Sequence, residues 1–139
     1  MFAKLYRQYE NMTQEARFEL MRRDGAVILP ALAELNGNGA REFIIFMFSA
    51  CGEGGMISPD EYTLLCEAVG DLPDYSGACE IIGAAFENSA TDEIDDAVET
   101  LALLGDEAKS SLVSFCLCFC ASRGKGFRRE KRFLKSIVK

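Results

Sequence analysis

The 139-residue chain contains no histidine. That excludes imidazole as a general base, as a nucleophile partner and as a metal ligand. Proline is nearly absent too, at three residues, so long structureless stretches are not expected. The longest apolar runs, Phe43 to Cys51 and Leu112 to Ala121, are about half the roughly 18 residues a membrane span needs. The first ten residues, MFAKLYRQYE, lack the apolar core of a signal peptide. A cytoplasmic location is the expectation. Between Arg41 and Lys109 there is no Lys or Arg at all.

What is present is an ordinary globular composition, 49% hydrophobic and 27% charged, in a chain of one domain's length. All six cysteines (Cys51, Cys66, Cys79, Cys116, Cys118, Cys120) lie in apolar runs. Free cysteine behaves as a small buried hydrophobe, so reduced core thiols are expected. The CxCxC at 116–120 does not have zinc-ligand spacing, and a helix would turn Cys118 away from Cys116 and Cys120. Net charge is −7 but segregated: the middle is acidic, and from Arg123 to Lys139 eight basic residues face one acid, Glu130. Such asymmetry speaks to partners and self-association.

In chain order, a short polar-aromatic lead-in precedes Thr13, a helix N-cap. Asp24-Gly25 and Pro30 predict a break near Gly25 and a new helix starting close to Pro30. Asn36-Gly37-Asn38-Gly39 stops it. Residues 40–51, apolar nearly all round, predict a central buried helix. Ser58-Pro59-Asp60-Glu61 carries an N-cap, a proline at the first helical position and a capping-box acid, with Tyr62, Leu65, Cys66 and Val69 inward. Asp74 or Ser76 caps a helix to about Phe86. Thr91 caps one ending at Gly105, and Asp106 opens another to Ser122. The alternation of Phe115, Leu117 and Phe119 also suits a strand, which would have nothing to pair with. A last helix runs from Phe127 to Val138. The expectation is an all-α, single-domain bundle of about seven helices.

Two stretches look like copies. SACGEGGMISPDEYTLLCEAV and CASRGKGFRREKRFLKSIV each follow an apolar helix. Each has a glycine-rich turn, an apolar anchor (Ile57, Phe127), an acid (Asp60 or Glu61, Glu130) and an amphipathic helix. This is read as an internal helix-loop-helix duplication. The first loop also fits a calcium-hand frame beginning at Ala50, which puts Gly55 at the glycine, Ile57 at the apolar anchor and Glu61 at the final acid. Ala50, Gly52 and Gly54 then occupy ligand positions without side-chain oxygen.

GEGGMISPDE after an apolar helix, echoed by GKGFRREKRFLKSI, resembles the TerB-like (tellurite-resistance) family. The resemblance implies an all-helical bundle over residues 1–139. It also implies a binding or sensing module linked to stress responses and membrane-associated complexes, not an enzyme, with acidic loop residues suspected of holding metal. The chain departs from the family where Gly54 replaces an acid and where Arg123 and Lys125 occupy the second loop.

The leading expectation is a non-enzymatic stress-related interaction or sensing domain acting through its acidic (52–107) or basic (123–139) surface, toward a protein partner or a second copy. The alternative is a divalent-metal protein using Glu53, Asp60 and Glu61; no other cofactor is expected. For Glu61 the capping box, and for Asp60 the helix dipole, are the structural duties that compete with ligation. Asp92, Glu93, Asp95 and Asp96 read as a solvated helix start. Arg123, Lys125, Arg128, Arg129 and Arg132 form a candidate anion or partner surface. An enzyme on an anionic substrate ranks last. Nucleic acid is disfavoured by the net charge, and the basic last helix offers at most weak contact with an anionic membrane surface.

Overall fold

The computed structural model describes residues 2–36, 39–51, 57–70, 72–87, 99, 101–124, 130–131, 134–135 and 137; for 35–36, 39–40, 42, 49–51 and 85–87 only the backbone is described. Among the described residues there is no strand. Six helices have defined bounds: α1 Phe2–Glu10, α2 Gln14–Asn36, α3 Gly39–Cys51, α4 Pro59–Ala68, α5 Tyr75–Glu87 and α6 Asp106–Arg123. The helix expected over 91–105 lies mostly outside the described residues. Of the last expected helix, Glu130, Lys131, Leu134, Lys135 and Ile137 are described and helical. No helix among the described residues is long and apolar enough to cross a membrane.

The lead-in is itself a helix. Phe2, Tyr6 and Tyr9 make a one-sided buried stripe on α1, which packs on α6. The turn into α2 is closed by local chemistry. Thr13 Oγ1 accepts the Ala16 N–H at 3.1 Å, satisfying one free donor of the new helix. Arg17 reaches back and donates to the carbonyls of Tyr9 (2.9 Å) and Met12 (2.7 Å), groups that the end of α1 leaves without helical partners.

The break expected near Gly25 and Pro30 does not occur: α2 runs unbroken through both. Its inward stripe is Phe18, Met21, Gly25, Ile28 and Leu32, spaced by three and four residues without a phase change. Pro30 lies on the opposite, exposed side, as does Ala26, whose carbonyl loses its partner. Water can satisfy that carbonyl, so the proline costs less than it would inside. At Gly25 an added Cβ would lie 3.0 Å from Val69 Cγ2, so the missing side chain is what lets α2 approach the end of α4.

α2 packs against α3, α4 and α6. Six consecutive residues of α3, Phe43 to Phe48, are buried, and α6 is buried on all sides from Phe115 to Ala121. Helices apolar all round belong at the centre. Phe43 and Phe115 meet edge-to-face with ring centroids 5.2 Å apart. Cys116, Cys118 and Cys120 are fully buried thiols of that core.

The helix-start signals at 58–61 and 74 hold as expected. Ser58 Oγ accepts the Glu61 N–H at 3.2 Å, and Asp74 Oδ1 accepts the Gly77 N–H at 2.8 Å. A side chain at Gly77 would crowd Pro73 and the capping carboxylate, at 3.1 and 3.2 Å. Tyr62 donates to the Pro73 carbonyl (2.6 Å) and Tyr75 to the Ile57 carbonyl (2.7 Å), tying the starts of α4 and α5 together. The two rings stack edge-to-face with each other, and Tyr62 also with Phe48.

Candidate functional site

The two loop-helix units meet at one side chain. α6 ends at Arg123 because Gly124 takes a left-handed conformation (φ 72°), which returns its N–H to the Cys120 carbonyl and turns the chain off the helix axis. This leaves Arg123 on the last turn, where a cation suits the helix dipole. Its Nη1 donates to Glu61 Oε2 at 2.9 Å and its Nη2 to Glu130 Oε1 at 3.2 Å. Glu61 and Glu130, far apart in the chain, thus share one guanidinium. Phe119 lies beneath it, 5.1 Å from ring centroid to guanidinium carbon, and Cys120 Sγ accepts from Nη2 at 3.7 Å. A planar fork over an aromatic ring is a role lysine could not fill.

The site is inside the protein. The side chains of Arg123 and Glu130 are 4% and 5% exposed, that of Glu61 17%. Arg123 was expected on an anion or partner surface; it is instead buried and occupied by two carboxylates. Glu61 also accepts from the Ser58 hydroxyl, through Oε1 at 3.2 Å. Burial pushes the Glu130 carboxyl up to about 7, with Cys120 adding to the rise and Arg123 opposing it. Desolvation prevails over the cation 3.2 Å away.

Asp60 stands exposed on the first turn of α4, apart from the cluster's contacts. Glu53, Lys125, Arg128, Arg129 and Arg132 lie outside the described residues, as do Asp92, Glu93, Asp95 and Asp96. Among the described residues no group of three or more Cys, Asp or Glu is arranged to hold a metal ion. Glu61 and Glu130 are the only pair of carboxylates among them that converge on one cation. The sign that marked Glu130 was its solitude, one acid in a run of eight bases.

A second polar cluster lies farther back along α6 and went unmarked by any motif. Tyr9 donates to Ser114 Oγ at 3.1 Å, and Ser114 lies near enough to Asp24 to lower its carboxyl. Asp24 is 5% exposed, and its Oδ2 has no partner among the described residues. Burial raises its carboxyl to about 6 against the pull of Ser114 and Arg23. The Cys118 thiol is pushed to about 12 by burial and by Asp24, and it donates to the Arg17 carbonyl at 3.5 Å. A thiol so shifted stays protonated and is no nucleophile. Neither cluster presents an accessible nucleophile beside a base; both join helices. No protein-family model, no curated protein and no solved structure matches this chain.

Proposed function

We propose that the chain is a non-enzymatic interaction or sensing module of the TerB-like type that offers an acidic surface to a basic protein partner. The observation that carries this reading is the exposure of Asp60 and Glu67 on α4, Glu80 on α5, Glu99, and Asp106 and Glu107 on α6. No Lys or Arg falls between residues 42 and 108 to balance them, and the nearest downstream arginine, Arg123, is turned inward. A field of one sign steers an oppositely charged partner and suppresses others. The resemblance supplies the stress-related context.

The test is co-purification of partners with the wild type and with Glu67→Lys/Glu80→Lys, against Arg128→Glu/Arg129→Glu. Partners lost at high salt and lost in the first double variant are the expected result. An unchanged partner profile in it refutes the acidic-face reading, and loss only in the second moves the contact to the basic end.

A second reading is divalent-cation binding by Glu53, Asp60 and Glu61. What favours it is the convergence of Glu61 and Glu130 on a cationic group. Titration calorimetry with Ca²⁺, Mg²⁺, Mn²⁺ and Zn²⁺ tests it, and no heat at millimolar metal ends it. Catalysis on an anion is not proposed, because Arg123, the described arginine of the basic end, is engaged by two carboxylates.

A further inference from the structure

We propose that α1 is a detachable helix and that the charge on Asp24 governs its docking. Asp24 lies at a junction of three helices. It belongs to α2, it is 5% exposed, and its Oδ2 has no hydrogen-bond partner among the described residues. Tyr9 of α1 and Cys118 of α6 lie close enough to feel its charge. Tyr9 also donates to Ser114 Oγ of α6, which fastens α1 beside the carboxyl. A carboxylate ionised there gives up water without gaining a donor at Oδ2, and that is unfavourable.

Packing selects the helix that yields. Water returns to Asp24 if one of the three helices withdraws. α2 packs along α6 and on α3, so parting α2 from α6 opens the core. α1 is held differently. It is nine residues long, residues 11–13 join it to α2, and among the described helices it packs broadly on α6 alone. The side chains it buries are Phe2, Tyr6 and Tyr9. Local opening draws on short elements with few buried contacts, and the withdrawal of α1 uncovers the carboxyl while α2, α3 and α6 stay packed.

The groups that face the carboxyl are Tyr9 from α1, Ser114 and Cys118 from α6, and Arg23 from α2 itself. The described charged residues of α3 and α4, the other helices packed on α2, are Arg41, Asp60, Glu61 and Glu67, and none of them is among the groups that act on it. Burial outweighs the pull of Ser114 and Arg23 and raises the carboxyl to about 6. The docked state therefore holds the proton more tightly than an open state in which water reaches Asp24. Docking is firmest below the ordinary value of 3.8, weakens as pH rises, and has lost this contribution once the docked form itself ionises, at about 6. The device does not depend on a partner, so it stands or falls separately from the acidic-face reading.

The test uses the full chain. Carbon-13 NMR of the aspartate carboxyls is followed against pH. Amide exchange, normalised for intrinsic rate, is measured from pH 4 to 8 with and without sub-denaturing urea. One aspartate is expected to titrate near 6, and its signal to be absent from Asp24→Asn. Protection at residues 2–10 is expected to lie below that at 112–121 and to be unchanged by the urea, as local opening requires. In the wild type it is expected to fall by about tenfold per unit between pH 4 and 6 and then to level off; in Asp24→Asn it is expected to stay constant. Titration of every aspartate below about 4.5 overturns the proposal. So does protection at 2–10 equal to that at 112–121, which would make the opening global, or a pH-dependence at 2–10 that survives Asp24→Asn.

Discussion

The two buried polar clusters on α6 handle charge differently. At the end of the helix, Arg123 brings a cation to two carboxylates that belong to different chain segments. Nine residues earlier, beside Ser114, Asp24 is buried with hydroxyls and a thiol around it, and with Arg23 acting only from a distance. Buried charge is tolerated when paired and hydrogen-bonded, and it shifts its pKa when it is not. The first cluster is therefore organised around a cation held by two carboxylates, although burial lifts Glu130 there as it lifts Asp24 in the second. The second is organised around a carboxylate that the fold would hold more easily without its charge. Both join helices distant in sequence, but the first does so by attraction and the second at a cost that packing must offset.

Removing the shared cation separates the two most sharply. Arg123→Ala should destabilise the fold by about 3–5 kcal/mol, the usual result of leaving buried partners uncompensated. Urea unfolding at pH 7 measures it, and a loss below about 1 kcal/mol would mean that the cluster behaves as a surface pair.

Asp24→Asn should act in the opposite direction. The folded-state pKa of about 6 lies above the ordinary value of 3.8. Proton uptake thus stabilises the fold below the ordinary value, and that contribution is lost as pH rises through 6. An amide escapes the penalty, so the variant should gain up to about 3 kcal/mol over wild type at pH 8 and almost nothing at pH 4. Melting curves at the two pH values decide it. A destabilised variant at pH 8 would show that ionised Asp24 is well satisfied by its neighbours.

The smallest effect is expected at the edge of the first cluster. Ser58→Ala removes the cap of α4 and the hydroxyl on Glu61, and should cost about 1 kcal/mol, typical for a lost N-cap. A markedly larger loss, read by the same urea titration, would mean that the hydroxyl also orients Glu61 toward Arg123.

Helix starts were legible because they are local. Ser58, Asp74 and Thr13 each bond an amide three residues on, and that geometry is written within four residues of sequence. Continuity of α2 was legible too, but in a different signal from the one that Gly25 and Pro30 send. The 18-21-25-28-32 stripe keeps phase through both, and which side Pro30 faces decides whether it breaks the helix. The burial of Asp24 could not be read, since aspartate in a helix is ordinarily exposed. For the candidate site, Glu61 and Arg123 were both marked, but as a metal ligand and as a surface cation. Their pairing spans 62 residues, and no local pattern encodes it.

The sequence by itself determined that these residues form helices with capped starts and a thiol-rich apolar centre, because periodicity, capping and side-chain volume act over a few residues. Only the tertiary structure decided that Arg123 belongs to the interior, that Glu61 and Glu130 share it, and that Asp24 loses its water. Those outcomes depend on which surfaces α2, α4 and α6 press together, and desolvation is a property of the packed helices, not of any one of them.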